Sequence, residues 1–304
     1  MPPPTGLIAK AIKNGQVVSF LGAGASAVYR PDECDWDVRS DFLPTGPELA
    51  KCLAKDASFP EPAHEEELPL VASYVEHVQG DRELLNGTLQ QAFSGNFTIG
   101  SVHRLLASIE PLLIVTTNYD NLIEDAFKEA GKNYHLVVDR GDDHHVWIAT
   151  NLAKGSPTFS PSKMNSLSKE LRPKNISTIY KMHGSIDQKR NELDHVVITE
   201  QDYVNLLGRT GTCVPQYFAL NLQKSRFLFL GYSLMDWNVR VMLQKLRRIA
   251  GTSRESWPKS WAINRNPGVA ECEIWDAHNV RIFNYDLQAF IDDLASEMHI
   301  EIDR

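Results

Sequence analysis

Residues 17–26 read VVSFLGAGAS. The run Val17–Leu21 has no apolar–polar alternation, which suits a strand covered on both faces. It ends at Gly22-Ala23-Gly24, and the stretch to Ala27 matches the G-x-G-x-x-G/A spacing. After a buried strand, that spacing lets the backbone approach a pyrophosphate and aim its amides at it. A plain strand-to-helix turn fits the same residues equally well. Asp41, about 20 residues on, sits in a Pro-bounded loop. The dehydrogenase form of the motif, with an acidic residue at a strand end at about that distance, is therefore a poor match.

The same device recurs down the chain. LLIVT (112–116) ends in Thr117-Asn118, TIYKM (178–182) in His183-Gly184-Ser185, and RFLFL (226–230) in Gly231-Tyr232-Ser233. SWAI (260–263) ends in Asn264, and VRIF (280–283) follows. Helical stretches over Tyr119–Ala130, Asp236–Ile249 and Val269–His278 supply crossovers. Strands alternating with helices predict an α/β fold, a Rossmann-like doubly wound parallel sheet of about six strands.

Two regions break the rhythm. Residues 46–108 read as consecutive helices, a helical insertion after the first strand. Residues 139–175 are rich in Asp, Asn, Ser, Lys and Pro and read as a long polar loop, a feature usually functional or mobile. No internal repeat is present, and residues 1–304 read as a single domain.

Composition narrows the function classes. The 304 residues carry 31 Lys+Arg against 39 Asp+Glu, a net charge of −8, whereas a duplex-binding protein needs a basic face. Apolar residues at 42% and charged residues at 23% are those of a globular domain. The four cysteines, at 34, 52, 213 and 272, form no C-x-x-C pair, so no structural zinc and no metal site are expected. Scattered cysteines read as reduced thiols, and Lys10 and Lys13 interrupt any leader-like apolar run. No apolar run reaches the roughly 18 residues of a membrane span. The expectation is a cytoplasmic protein.

In an open parallel sheet, ligands bind at the carboxyl ends of the strands. GAG, TTNYD, KMHGS, GYS and IN all fall there, and each motif has two readings. Asn118 and Asp120 suit a helix cap, or an amide and a carboxylate facing a ribose or a water. His183 suits a structural hydrogen bond or a general base, since histidine changes charge near neutral pH. Gly231 permits close approach of a ligand, and Ser233 and Asp236 suit caps. Asn264 suits ribose hydroxyls or a turn with Pro267. His144-His145 after Asp142-Asp143 read as a solvated loop, and Lys245 to Arg248 as cations closing a helix. Neither G-x-x-x-x-G-K-[ST] nor G-x-S-x-G occurs.

Taken in order, GAGAS, TTNYD, K-x-HGS, GYS and IN resemble the sirtuin-like family, and most of all the sirtuin-like domains of bacterial anti-phage defence systems. The likeness runs from about Val17 to Asn264. It implies an inverted Rossmann-type fold that binds NAD, with Asn118 and His183 as the catalytic pair. It further implies that Gly22, Ala23, Gly24, Ala25, Ser26, Thr117, Asp120, Gly231, Tyr232, Ser233, Asp236 and Asn264 contact the dinucleotide. Protein-deacylating sirtuins carry a four-cysteine zinc module and an Asp-Phe-Arg segment. This chain encodes no such module and reads Tyr29-Arg30-Pro31-Asp32 there.

The activity the resemblance implies is hydrolysis of NAD to nicotinamide and ADP-ribose, by a defence effector that depletes the cofactor in abortive infection. The alternatives are an NAD-dependent deacylase or ADP-ribosyltransferase, and a catalytically silent nucleotide-binding subunit of a defence complex. A homo-oligomer is expected, docked on a partner such as a HerA-like ATPase, with no membrane and no direct nucleic-acid binding.

Overall fold

Strand β1 (Val17–Leu21) is buried at every position. Its side chains divide between two cores: Val17 and Leu21 point to one face of the sheet, Val18 and Phe20 to the other. A computed structural model of the chain describes residues 1–28, 30, 35–78, 80, 82–139, 145–152, 158–164, 166–171, 175–186, 196–208, 215–232, 240, 241, 243, 244 and 257–302.

Among these residues stand eight further strands: β2 (Leu113–Thr116), β3 (Tyr134–Asp139), β4 (His145–Leu152), β5 (Ser160–Lys163), β6 (Ser177–Lys181), β7 (Arg226–Leu230), β8 (Ser260–Asn264) and β9 (Val280–Asn284). They form one sheet in the order β5-β4-β3-β6-β2-β1-β7-β8-β9. The seven strands from β3 to β9 in that order run parallel. Strand β1 lies between β2 and β7, with Leu21 level with both Thr116 and Leu230. The chain crosses β1 between β6 and β7, so a crevice opens at the carboxyl ends of β1 and its neighbours.

One face packs on helices α1 (Thr5–Lys13), α5 (Ser101–Ser108), α6 (Leu122–Glu129) and α11 (Leu287–Met298), through Ile8, Leu105, Phe127 and Phe290 among others. The other packs on α9 (Gln216–Leu222) and α10 (Val269–Asp276), with Phe218 and Trp275 buried against Tyr180 and Phe229. Helices α2 (Gly46–Asp56), α3 (Leu68–Val78) and α4 (Arg82–Ala92) form a separate apolar core with Tyr119, Ile186, Val196 and Ile198. Helix α8 (Glu200–Gly208) packs against α3.

Four sequence expectations need correction. The described sheet has nine strands where about six were expected. Strand β3, YHLVVD, is one that was not anticipated. The expected loop over 139–175 contains β4, β5 and the short helix α7 (Leu167–Glu170). Strands β4 and β5 run antiparallel along the β3 edge. In β4, Val146 and Ile148 enter one core while Trp147 and Leu152 pack against the other, and β5 is the mostly exposed polar stretch SPSK. The edge strand β5 therefore has the composition of a loop, whereas β4 is a short apolar run set between polar stretches.

The insertion is shorter than 46–108, because α5 packs on α6 and α11 as part of the sheet's helical layer. Helix α6 starts at Leu122 where Tyr119 was expected, because the Asp120 carboxylate accepts the Leu122 N–H at 3.0 Å and holds 117–121 outside the helix. The expected helix Asp236–Ile249 falls almost wholly outside the described residues. No described helix is long and apolar enough to cross a membrane.

Candidate active site

Two cavities lie at the carboxyl edge of the sheet. The outer one, about 640 Å³, is walled by Gly22, Gly24, Gly231, Tyr232, Asn264 and residues 285–288. The inner one, about 140 Å³, is walled by Ser26, Asn118, Asp120, His183, Tyr203 and apolar residues from the helical insertion. Ala23, Thr45, Gly46 and Thr117 line both, so the cavities meet there.

The outer cavity rests on a backbone-to-backbone contact. The Gly22 N–H donates to Leu230 O at 3.1 Å and the Gly24 N–H to Gly231 O at 2.8 Å. A Cβ on Gly22 would lie 2.6 Å from Gly231 O, and one on Gly231 would lie 1.9 Å from Ala25 N. Gly231 also has φ +60°, a conformation that favours glycine. The amides of Ala25, Ser26 and Ala27 donate within their own turn, to Gly22, Ala23 and Gly24. The glycines thus act sterically, bringing two strand ends together, and most of the turn's amides are already bound to carbonyls. Ala25 is fully buried in the core and lines neither cavity. Asn264 stands at the end of β8, its carbonyl accepting the Tyr285 N–H at 3.2 Å.

The inner cavity carries the polar side chains singled out as catalytic candidates. Thr116 Oγ1 donates to Leu21 O at 3.1 Å and accepts the Asn118 N–H at 3.0 Å, which turns the chain out of β2. Asn118 Nδ2 donates to Gly22 O at 3.1 Å and to Ser26 Oγ at 3.3 Å. Ser26 Oγ in turn donates to Asp120 Oδ2 at 3.1 Å. Both hydrogens of the Asn118 amide are therefore committed, and what it offers a ligand is the acceptor Oδ1. His183, just past β6, is buried, and its ring meets Tyr203 edge to face at 5.4 Å.

Residue types alone did not point to three supporting groups. Lys181 Nζ is within 2.9 Å of Glu124 Oε1, with the two side chains 0% and 4% exposed. The same ammonium donates to Asp120 O at 2.5 Å, to Tyr119 O at 3.3 Å and to Asn121 Oδ1 at 3.1 Å. Burial pushes the Glu124 carboxyl up, and Lys181 draws it back towards the ionised form. The available signal was a lysine closing a buried strand, which requires a partner. Second, Arg30 forms an ion pair with Glu48 beside the outer cavity and lies over the Phe42 ring at 4.6 Å. Burial opposes ionisation of Glu48, but hydrogen bonds from Arg30 and Thr45 prevail and hold its carboxyl at about 2. Third, Arg265 pairs with Asp286, the residue that caps α11 at the outer cavity.

The structure thus brings Ser26, Asn118, Asp120 and His183 to one cavity, and Gly22, Gly24, Gly231, Tyr232 and Asn264 to its neighbour, with Ala23 and Thr117 on both. Ser233 and Asp236 lie outside the described residues, as do His144 and the stretch Lys245–Arg248. Among the described residues no group of His, Cys, Asp and Glu could hold a metal ion, and Cys52 and Cys272 are free thiols.

A family model described as a SIR2-like domain matches residues 112–283. NAD(+) hydrolase ThsA of Enterococcus faecium is 29% identical over 239 residues, covering 78% of this chain and 41% of that protein. NAD(+) hydrolase ThsA of Cytobacillus dafuensis is 25% identical over 262 residues, 84% of this chain and 43% of that protein. Defense-associated sirtuin 2 of Bacillus subtilis is 23% identical over 270 residues, 88% of this chain and 22% of that protein. The chain spans less than half the length of each of these relatives.

Proposed function

The chain belongs to the SIR2-like domain family, and from that premise we propose that it cleaves the nicotinamide–ribose bond of NAD with water, giving nicotinamide and ADP-ribose. The observation that supports this most is the pair of adjoining cavities. The outer is large enough for the adenosine diphosphate half, and the inner holds Asn118 and His183 where the nicotinamide ribose would sit. The names of the ThsA relatives point the same way.

Breaking the C1′–N bond sends its electron pair to nicotinamide and leaves oxocarbenium-like charge on the sugar, as in glycoside hydrolysis. The pyridinium ring is already cationic, so the leaving group needs no strong acid. Asn118 Oδ1 accepts from a ribose hydroxyl or from the attacking water. His183 takes the water's proton as the oxygen bonds to C1′. A positioned base of this kind contributes about 10²–10⁴-fold. Leu43, with Leu49, Leu68 and Phe93 of the helical insertion, gives the inner cavity an apolar lining. A cavity of about 140 Å³ with that lining admits water more readily than a peptide side chain, which favours hydrolysis over deacylation or ADP-ribosyl transfer.

The proposal extends to a zinc-independent cytoplasmic defence effector, assembled as a homo-oligomer and docked on a partner such as a HerA-like ATPase. The name of the Bacillus subtilis relative supports the defence role. The partner is what the resemblance in motif order implies, and the oligomer rests on the surface that the helical insertion offers for packing against copies of the chain. Incubating the purified protein with NAD and following nicotinamide release tests the activity. Tight NAD binding with no release would favour the silent-subunit reading.

A further inference from the structure

Residues 196–203 form a strap along the inner cavity. The Val197 N–H donates to His183 O at 3.0 Å, and Gly184 and Val196 form an antiparallel bridge. Tyr119 Oη donates to Val197 O at 2.8 Å, and the Tyr203 ring abuts the His183 ring. The strap thus seats the histidine through backbone and ring together.

A second set of bonds ties the strap to the helical insertion. Arg82, at the start of α4, donates from Nη2 to Val196 O at 2.9 Å. Its Nη1 donates to Asp202 Oδ2 at 3.1 Å and to Glu76 Oε2 at 3.2 Å. The same Asp202 oxygen accepts the backbone N–H groups of Ile198 and Thr199 at 3.1 and 3.0 Å. The Glu200 N–H donates to Ser73 Oγ of α3 at 3.0 Å. The planar Arg82 fork thus joins two carboxylates and a strap carbonyl, which the point charge of a lysine does not reproduce.

We propose that Arg82 is a positioning residue for His183: through Val196 and Asp202 it pins the strap, and the strap holds the imidazole in place. The proposal rests on the reading of His183 as the base of NAD cleavage. It also gives the helical insertion a mechanical line to the reaction centre, since Arg82 belongs to α4 and Glu76 to α3.

The test compares wild type with Arg82→Met by three readings: steady-state nicotinamide release from NAD, hydrogen exchange at the Val197 amide, and His183 ring signals in protein labelled with ¹³C-histidine. In Arg82→Met, KM stays within about twofold while kcat falls about tenfold or more, because a small misplacement of a reacting group has a large kinetic effect. The Val197 amide exchanges about tenfold faster as the strap loosens, and the His183 ring signals move. If Arg82→Met fails to fold, Arg82→Lys, which keeps a cation beside the carboxylates but loses the fork, is read the same way. A folded variant with unchanged Val197 exchange and unchanged His183 signals overturns the proposal. A wild-type protein that releases no nicotinamide counts against the activity alone, and the exchange and ring readings then still decide on Arg82.

Discussion

Lys181 and Glu124 form an ion pair at 2.9 Å that is almost completely removed from water, and it fastens the end of β6 to α6 directly beneath the turn carrying Asn118. The ammonium also collects the carbonyls of Tyr119 and Asp120, so one buried cation organises the backbone between the two catalytic candidates.

Removing the cation alone strands a buried carboxylate. Lys181→Met is expected to lower unfolding free energy by about 3–5 kcal/mol, and Lys181→Met/Glu124→Leu to recover most of that loss. The double variant still lacks the donor that gathers the Asp120 and Tyr119 carbonyls, so it is expected to fold but to cleave NAD poorly. Urea unfolding of the three proteins, with nicotinamide release measured alongside, checks both halves.

Asn118→Ala and His183→Ala are each expected to lower NAD cleavage by about 10²-fold or more while melting temperature changes little. Ser26→Ala, which removes the hydroxyl linking Asn118 to Asp120, should give a smaller loss of about tenfold. Full turnover in folded His183→Ala would show that the histidine is structural.

The meeting of the β1 and β7 loops admits no side chain. Gly231→Ala places a Cβ 1.9 Å from Ala25 N at a positive φ. It is expected to destabilise the fold by about 3 kcal/mol or more, or to prevent soluble expression. Gly87→Ala, in α4 with nothing within 4 Å of the new Cβ, is expected to raise stability by about 0.5–1 kcal/mol. Calorimetric melting of the two variants separates the sites.

Acid should loosen the wall of the outer cavity. Glu48 is depressed from its ordinary 4.5 to about 2 in the folded protein, despite burial, by its bonds to Arg30 and Thr45. A depressed carboxylate stabilises the fold fully above its unfolded value and ceases to do so as pH falls through the folded one. The loss attributable to Glu48 therefore falls between about pH 4.5 and 2. Asp202 acts in the same direction: hydrogen bonds from Thr199, Ile198 and Arg82 outweigh its burial. Melting temperature against pH should fall less steeply for Glu48→Gln than for wild type across that window.

The parallel core was legible because Val17–Leu21 and Arg226–Leu230 bury both faces and so lose the alternation that marks an exposed sheet. The candidate site was legible because Gly22, Asn118, His183, Gly231 and Asn264 punctuate those runs, and topology gathers strand ends on one edge. What escaped notice depends on pairing at a distance. Nothing local to Lys181 names Glu124, 57 residues away, and nothing local to Arg82 names Asp202, 120 residues away. Strand β5 escaped because its exposed stretch SPSK has the polar composition of a loop, and the apolar run of β4 beside it is set between polar stretches that read as the same loop.

The shared wall of Ala23, Thr45, Gly46 and Thr117 acts as a waist between two compartments of unequal size. A molecule that fills both must thread that waist, but a fragment that fills one need not touch the other. On the proposed assignment, a pyridine carboxamide and an adenine nucleotide would lodge side by side without excluding one another. The protein would then respond to the two halves of its substrate as to two separate inhibitors, whose combined effect exceeds what competition for a single place allows.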